Sequence, residues 1–438
     1  MRPLYHGLLV IAAYLAMAVA PLIALLTGPA IPGRGFWREL SVGLGFAGLA
    51  MMGLQFFLTG RFRGLTSPYG IDVVYHFHRA ISLVAFLFLF LHPALLVLSA
   101  PVTVSMLHPL TAPGWVSVGS LALLAFALIV LSSLYRLRLG LGYEGWRLLH
   151  GYLAVAAVGF AVWHMIGGGY YLQAPMKRGL WIAIAATWIL ALIHVRLVKP
   201  LLLRRRPYTV DEVTRERGSS WSLTLRPEGH RGMEFSPGQF AWLTIGGSVF
   251  SIREHPFSFS SSAMHPERLT FTIKELGDFT GTIGSVAPGT RVYVDGPYGS
   301  FTPDRRSVAG YVLIAGGVGI TPIMSILRTF ADRRERRPLL LFFGSKRLED
   351  VTFREEIERL PLRLNLKLVL VLEEPPAGWK GEQGHIDAGL LGRYLPRRRM
   401  EYEYFVCGPI AMQRGVKKAL DRLGVQAGQV QSESFNFV

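Results

Sequence analysis

The sequence predicts a membrane all-α six-helix bundle followed by two soluble domains, a small β-barrel and an α/β domain with a parallel sheet. Three patterns predict it: six apolar stretches long enough to cross a bilayer, then short strands separated by Gly/Pro turns, then strands alternating with helices. The 438 residues are 51% hydrophobic, which also indicates a partly membrane-embedded chain. The predicted domains are residues 1–206, 207–304 and 305–438.

The apolar stretches and the charges between them predict the membrane topology. The stretches are residues 8–26, 40–58, 73–98, 116–135, 148–166 and 180–198. Most of the net charge of +17 lies before residue 207, where the chain has 16 Lys and Arg residues but 3 Asp and Glu residues. If the stretches alternate, twelve of these cations lie on one side and four on the other, which predicts a multi-pass cell-membrane protein with both termini cytoplasmic. This placement favours contact with the lipid bilayer and argues against nucleic-acid binding.

The first stretch has a second interpretation as a signal peptide, because small residues near position 18 resemble a cleavage site. Its apolar run continues past them to Leu26, which favours an uncleaved helix. The later topology is the same in both cases.

Histidines recur at one interval in two of the stretches. His78 and His92 lie 14 positions apart, and so do His150 and His164. Over 14 residues a helix falls roughly 40° short of four full turns and rises about 21 Å. Both imidazoles of a pair therefore project from the same face of the helix, at two different depths in the membrane. A lone membrane histidine often bonds only a neighbouring helix, but the repeated interval favours two b-type haems. On the predicted topology, His78 and His150 ligate the cytoplasmic haem, and His92 and His164 the outer one.

After Arg206 the apolar runs shorten to strand length, at residues 221–225, 240–245, 269–273 and 291–294. This spacing predicts a small antiparallel barrel. In the stretch from His255 to Ser261, Phe257 can lie against a planar ring and Ser258 offers a hydroxyl to a redox-active nitrogen. Lys274 and the small residues around Gly277 suit a diphosphate.

From residue 310 the pattern is that of a parallel α/β sheet. The predicted strands and helices are residues 311–315, 321–331, 339–343, 353–360, 366–372, 404–406 and 411–423. The turn from Gly316 to Pro322 lets the backbone approach a pyrophosphate, with Thr321 predicted to cap a helix that starts at Pro322. Lys346 and Arg347 are candidates to contact a ribose phosphate, although exposed basic residues are more often simply solvated.

Cys407 ends a later strand and is followed by Gly408. It is the sole cysteine, which excludes an internal disulfide and a cysteine zinc cluster. A buried cysteine is usually inert, so Cys407 is a candidate only through its place at the end of a strand.

These stretches, together with Cys407-Gly408-Pro409 and an aromatic chain end, resemble the ferredoxin-reductase-type dehydrogenase module. With the six helices and paired histidines, the chain resembles the NADPH oxidase and ferric reductase family in its compact bacterial form. The resemblance implies FAD held by His255, Pro256, Phe257, Ser258, Lys274, Gly277 and Thr280. It implies NADPH held by Gly317, Gly319, Thr321, Lys346, Arg347, Cys407 and Gly408.

The resemblance also assigns catalytic roles to Ser258, Cys407 and a C-terminal aromatic that shields the flavin, with Phe437 the candidate and Phe435 the alternative. Two departures stand out. Val438 follows the final Phe, and Lys274 and Lys346 occupy positions where relatives commonly have Arg, whose fork binds phosphate better.

The sequence therefore predicts electron transfer from cytosolic NADPH through FAD and two haems to an external acceptor. Dioxygen, giving superoxide, is favoured because the outer loops are short and hold few carboxylates for bare Fe³⁺. A ferric chelate is the alternative, because outer cations could attract an anionic chelate. These cations are Arg34, Arg38, Lys177 and Arg178. A membrane redox sensor or transporter, with the histidines in a proton relay, is a third possibility.

Overall fold

The computed structural model describes residues 2–27, 32–62, 70–99, 108, 111–305 and 307–433. The chain divides into two compact units, of which the first ends at Lys199 and the second begins at Pro200. The first unit is helical, and the second contains two six-stranded sheets.

Long apolar helices build the first unit. They are α1 (Arg2–Leu26), α2 (Phe36–Thr59), α3 (Ile71–Ser99), α4 (Gly114–Leu134), α5 (Tyr143–Gly168) and α6 (Pro175–Ile193). Helix α6 continues into a π-helical turn (His194–Val198) and the short helix α7 (Lys199–Arg204). Among the described residues, six helical segments are long and apolar enough to cross a membrane, which confirms the six predicted spans.

The helices of the first unit pack closely where a residue has no side chain. Helix α2 lies along α3, and α4 lies along α5. A Cβ at Gly48 would come within 2.8 Å of Leu89, and one at Gly53 would come within 2.0 Å of the Trp188 indole. Small residues allow this approach in a bilayer, where lipid gives no hydrophobic drive for association. Large apolar side chains such as Leu87 remain exposed on the outside, as lipid contact requires.

The first sheet of the second unit is the predicted antiparallel barrel. Its strands are β1 (Tyr208–Glu216), β2 (Ser220–Pro227), β3 (Phe240–Ile245), β4 (His255–Ser258), β5 (Leu269–Lys274) and β6 (Arg291–Tyr298). They pair in the order β4-β3-β6-β1-β2-β5. A bridge between Phe259, just after β4, and Phe271 of β5 joins the two ends of this order, so the sheet curls closed.

The second sheet is parallel throughout and has the order β10-β9-β8-β7-β11-β12. Its strands are β7 (Gly310–Gly316), β8 (Leu339–Ser345), β9 (Leu366–Leu372), β10 (Glu382–Gln383), β11 (Tyr402–Cys407) and β12 (Val430–Glu433). The helices are α8 (Ile320–Asp332), α9 (Arg354–Arg359), α10 (Ala388–Tyr394) and α11 (Ile410–Arg422).

Helices cover both faces of this sheet, because alternate strand residues point to opposite sides. Leu313 joins one apolar cluster with Ile323 of α8, whereas Val312 joins the other with Leu420 of α11. The strand order reverses between β7 and β11. In an open α/β sheet, ligands bind at the carboxyl ends of the strands that flank such a reversal.

A row of buried hydroxyls on α8 fixes this helix to the barrel. Thr321 Oγ1 donates to the Thr272 main-chain oxygen (3.4 Å), Ser325 Oγ donates to that of Ser261 (2.8 Å), and the Ala263 amide donates to Thr329 Oγ1 (2.9 Å). The three hydroxyls lie four positions apart, so they share one helix face. The start of α8 is therefore held against β5, and its later turns are held against the segment that follows β4.

Candidate functional site

The four predicted ligands meet as two pairs in the first unit. The ring centroids of His78 and His150 are 6.4 Å apart, and those of His92 and His164 are 6.1 Å apart. The ring planes meet at 65° and 67° respectively. In each pair, one histidine comes from α3 and the other from α5, as the repeated interval predicts.

In the His78–His150 pair, side chains hold both Nδ1 atoms. His78 Nδ1 lies 2.8 Å from Gln55 Oε1, and His150 Nδ1 lies 3.3 Å from Ser133 Oγ. The amide nitrogen of Gln55 donates to the Met51 main-chain oxygen, and Ser133 Oγ donates to that of Ile129. Both oxygens thus accept from imidazole, which places the hydrogen on Nδ1 and leaves Nε2 as a metal-binding lone pair.

In the His92–His164 pair, a main-chain oxygen lies near each Nδ1, and Ser41 Oγ lies 3.1 Å from His92 Nδ1 as a second contact. His92 Nδ1 lies 3.0 Å from the Ser41 main-chain oxygen, and His164 Nδ1 lies 2.8 Å from that of Trp115. Two glycines make room for these rings. A Cβ at Gly45 would lie 3.1 Å from His92, and one at Gly119 would lie 2.4 Å from His164 Nδ1.

The residues present fit haem. Two imidazoles that ligate one metal from opposite sides through bonds of about 2 Å have ring centroids about 6 Å apart. Within the described residues, no group of three or more His, Cys, Asp or Glu side chains could hold a bare ion. Two imidazoles suffice for haem, whose porphyrin supplies the other ligands. Beside His150, the buried Trp146 Nε1 has no hydrogen-bond partner among the described residues, as a donor awaiting a ligand would.

Two of the four predicted outer cations are engaged inside the protein. Lys177 is buried, and its Nζ donates to the Leu25 main-chain oxygen at 2.5 Å near the end of α1. The guanidinium of Arg34 lies 3.7 Å from the centre of the Tyr170 ring. The expectation that all four attract a chelate is therefore wrong for Lys177, whose charge is committed to a helix end.

The predicted flavin-binding strand carries an aromatic stack. The His255 ring lies 3.8 Å from that of Phe279, and the Phe257 ring lies 6.2 Å from it, both nearly parallel to it. Ser258 is buried, and its Oγ has no hydrogen-bond partner in the described part of the chain. An unpaired buried hydroxyl is costly unless a ligand completes it, so Ser258 fits a flavin nitrogen. Pro256 lies on β4, which pairs along its length with β3, and the bridge to β5 comes only after β4, so the missing N–H of Pro256 is tolerated.

The turn after β5 is built differently from the prediction. Thr280 Oγ1 accepts from the amides of Leu276 (2.8 Å) and Gly277 (3.0 Å) and donates to the Gly277 main-chain oxygen. These hydrogen bonds of the Thr280 hydroxyl are therefore all made within the turn itself. Lys274, at the end of β5, carries the positive charge beside it.

The glycine turn and the Cys407-Gly408 turn meet at the strand reversal. They follow the neighbouring parallel strands β7 and β11. A Cβ at Gly319 would lie 2.3 Å from the Cys407 main-chain oxygen, and Gly317 has a φ of +51°, so both positions require glycine. The predicted nucleotide-binding residues are thus together at the edge where such sheets bind ligands.

The predicted role of Thr321 as a helix cap is wrong. Helix α8 begins at Ile320, not Pro322, and its N-cap residue Gly319 provides no side-chain cap. The Thr321 hydroxyl instead bonds the barrel strand β5, as described above. A short 3-10 helix precedes α8, so the helix begins two residues before the position that the proline predicts.

Cys407 is fully buried, and the buried carboxylate of Glu433 lies near it. Burial, with the nearby Glu433 carboxylate, raises the pKa of the Cys407 thiol well above its usual value. The thiol is therefore protonated at neutral pH. A Cβ at Gly299 of the barrel would lie 2.9 Å from Glu433 Oε1. Glu433 thus lies between Cys407 and the barrel, although no sequence motif indicated a role for it.

Lys346 and Arg347 follow β8, and both pair with Glu374. Arg347 Nε lies 2.8 Å from Glu374 Oε2, and Lys346 Nζ lies 3.3 Å from Glu374 Oε1. Phe435 and Phe437 lie outside the described residues. Besides Glu433, the sequence analysis missed Phe279, which lies between Gly277 and Thr280, and the acceptors of the four Nδ1 atoms.

Three family models match the chain in order. They are a ferric reductase like transmembrane component at residues 44–162, an FAD-binding domain at residues 222–302 and an oxidoreductase NAD-binding domain at residues 313–418. The first covers the helices that carry all four histidines. The second and third fall on the barrel and the parallel sheet.

The curated relatives include reductases and an electron transfer component. The reductase component of propane 2-monooxygenase from Rhodococcus jostii is 30% identical over 56% of this chain and 65% of its own length. The xylene/toluene monooxygenase electron transfer component XylA of Pseudomonas putida is 32% identical over 46% of this chain and 57% of its own length. NADH-cytochrome b5 reductase 1 of Pyricularia oryzae is 29% identical over 34% and 49%. The chain thus spans less than two thirds of the length of each of these relatives.

Among solved structures, the FAD/NAD-binding domain of nitric oxide dioxygenase from Vibrio cholerae is 23% identical, covers 52% of this chain and 97% of its own, and has a TM-score of 0.47. The Amycolatopsis cytochrome P450 reductase GcoB is 24% identical, covers 52% and 69%, and has a TM-score of 0.47.

The fold and the family matches define the class as a multi-pass membrane protein with FAD-binding and NAD-binding oxidoreductase domains. More particularly, a ferric-reductase-like transmembrane component fused to ferredoxin-reductase-type FAD and NAD domains is the arrangement of the NADPH oxidase and ferric reductase family, which confirms the resemblance that the motifs predicted.

Proposed function

We propose that this protein carries electrons from cytosolic NADPH across the cell membrane, through FAD and two b-type haems, to dioxygen, giving superoxide. The observation that carries the proposal is the pairing of the four histidines. Both pairs have the ring separation of a doubly ligated metal, and every Nδ1 is turned to an acceptor on another helix. Such outer hydrogen bonds are what metal-ligating histidines usually make.

The cofactors, when bound, supply hydride acceptance by FAD and single-electron transfer through the haem irons. The chain supplies their placement. Each histidine pair would hold one haem between α3 and α5, with Trp146 as a donor near the first. In the second unit, the unpaired hydroxyl of Ser258 would donate a hydrogen bond to the flavin, and the stacked rings of His255 and Phe279 would flank the flavin. The Cys407 thiol stays neutral and so adds no charge beside the nicotinamide.

Dioxygen is favoured over a ferric chelate as the acceptor. Each haem would be held by two histidines, which would leave no ligand site for an acceptor, and a small neutral molecule such as dioxygen would need little else from the protein. The burial of Lys177 against the Leu25 main-chain oxygen removes one of the cations that could contact an anionic chelate. The match to a ferric reductase like component keeps the chelate as the second candidate.

Two finer points belong to the same proposal. The excess of cations on one side of the helices supports cytoplasmic termini. Lys346 and Arg347 support NADPH as the donor, because they follow the second strand of the nucleotide domain. NADH remains the comparison cofactor, since one relative is named for it. Cysteines introduced into the loops of a Cys407→Ala variant and labelled from one side would test the orientation.

The deciding experiment uses the purified full-length protein with FAD. We expect a red preparation with a b-type haem spectrum that NADPH reduces. NADPH consumption should stop in oxygen-free buffer, and superoxide dismutase should suppress the accompanying reduction of cytochrome c. The same assay is repeated without oxygen in the presence of ferric citrate.

Each other outcome selects a different function. Turnover that requires ferric citrate would make the protein a ferric-chelate reductase with the same electron path. A colourless preparation that retains flavin would overturn the haem path and leave the redox sensor or transporter.

A further inference from the structure

One carboxylate pairs with both cations of the proposed ribose-phosphate contact. Glu374 accepts from Arg347 Nε through one oxygen (2.8 Å) and from Lys346 Nζ through the other (3.3 Å). These charges hold the pKa of the Glu374 carboxyl below its usual value. A second carboxylate, that of Glu349, lies 3.8 Å from Arg347 Nη1 and makes a weaker contact than Glu374 does. In this arrangement the two cations are already satisfied before any phosphate arrives.

The main chain keeps the three side chains together. Ser345 and Leu372, at the ends of β8 and β9, are partners in the parallel ladder. Beyond them the Glu373 amide donates to the Ser345 oxygen (3.1 Å), and the Glu374 amide donates to the Lys346 oxygen (2.8 Å). The cluster therefore stays at the carboxyl edge of the sheet, where such domains contact the ribose of a dinucleotide.

The two halves of the cluster favour different cofactors. A carboxylate accepts a hydrogen bond from the free 2′-hydroxyl of NADH, whereas basic side chains favour the 2′-phosphate of NADPH. A phosphate of about two negative charges at this place would be repelled by the Glu374 carboxylate and would compete with it for the same donors. The side chains of the cluster are about half exposed, so a ligand can reach them.

We propose that Glu374 is the specificity-determining residue of this site, an internal competitor that lowers the affinity of Lys346 and Arg347 for the 2′-phosphate and supports binding of NADH. The inference rests on the proposed nucleotide site but not on the haems or the final acceptor. It makes the cofactor preference a balance of one carboxylate against two cations.

The test compares Glu374→Gln with Glu349→Gln in the full-length protein. Turnover is measured as reduction of ferricyanide by NADPH and by NADH, with 2′,5′-ADP and 5′-AMP as competitive inhibitors that differ only in the 2′-phosphate. All assays share one ionic strength, because salt screens exposed charges. Glu374→Gln should raise the NADPH/NADH ratio of kcat/KM about tenfold and lower the Ki of 2′,5′-ADP by about the same factor. The Ki of 5′-AMP should not fall, and Glu349→Gln should change each value less than twofold.

The combined Lys346→Gln, Arg347→Gln variant separates the two proposals. If it weakens 2′,5′-ADP while Glu374→Gln leaves the Ki unchanged, the phosphate contact stands and the role of Glu374 is overturned. If neither variant changes the ratio of the two Ki values, the proposed phosphate contact fails as well. Equal effects of Glu374→Gln and Glu349→Gln would also overturn the inference, since they would reflect net charge alone.

Discussion

The His78–His150 and His92–His164 pairs have nearly the same ring separation, but different groups hold their Nδ1 atoms. Side-chain oxygens of Gln55 and Ser133 accept from the first pair. Main-chain oxygens accept from the second pair, and Ser41 Oγ is a further contact of His92 Nδ1. A main-chain acceptor cannot be removed by substitution, whereas a side-chain acceptor can. The first pair therefore depends on acceptors that substitution removes, whereas each histidine of the second pair keeps a main-chain acceptor whichever side chain is changed.

The largest effect is expected from loss of a ligand. His92→Leu and His78→Leu should each leave about half of the haem, because each removes one imidazole from one pair. Haem is measured per flavin, and a redox titration shows which centre remains. His76→Leu is the control on the same helix, about 160° away from the ligand face, and should retain all the haem. Full haem in His92→Leu would show that the pairs are not ligand sets.

A smaller effect is expected from filling the space beside the second pair. Gly119→Ala places a Cβ where His164 Nδ1 would be 2.4 Å away, so haem occupancy at this pair alone should fall. Gly43→Ala is the matched control, since its Cβ meets nothing within 4 Å. Alanine favours a helix over glycine by about 1 kcal/mol, so loss of haem in only one variant cannot come from helix propensity. Equal haem content in both would contradict the space argument.

Removal of a side-chain acceptor should affect only the first pair. Gln55→Leu leaves the His78 Nδ1–H without its partner, and haem affinity there should fall about 10- to 100-fold. The measurement is haem release to an excess of apomyoglobin. Ser41→Ala is the matched change at the second pair, where the Ser41 main-chain oxygen remains to accept from His92. Similar losses in the two variants would remove the distinction between the pairs.

The smallest effect is expected at Ser133, whose contact with His150 is the longest of the four at 3.3 Å. Ser133→Ala should retain haem and shift the midpoint potential of the first centre upward, because a ligand with a weaker hydrogen bond is less electron-donating. The shift should be smaller than that of Gln55→Leu. A larger shift at Ser133 would reverse the assigned order of the two acceptors.

The sequence predicted the pairing because helix geometry fixes where residues 14 positions apart point. It could not predict the acceptors. Gln55 lies 23 positions from His78, Ser41 lies 51 from His92, and Trp115 lies 49 from His164, so their contacts depend on how the helices pack. The same limit explains Lys177, whose partner Leu25 is 152 positions away.

In the second unit, local patterns located the turns correctly but not the partners of their side chains. Thr321 has the sequence of a cap, yet its hydroxyl bonds Thr272 because α8 lies against the barrel. Lys346 and Arg347 have the sequence of a phosphate contact, and the carboxylate that pairs with both of them follows a different strand. Glu433 was missed because no local pattern links it to Cys407, which is its neighbour only through the pairing of β11 with β12.

The hydroxyl row of α8 has a consequence for building chimaeras of this protein. Every barrel group that it contacts is a main-chain oxygen or amide, from Thr272, Ser261 and Ala263. Any barrel sequence supplies such groups, so the side-chain requirement of this contact lies on α8 alone. A nucleotide domain transplanted with this helix should accept a foreign barrel of the same backbone course, whereas a foreign nucleotide domain lacking the row should not accept this one.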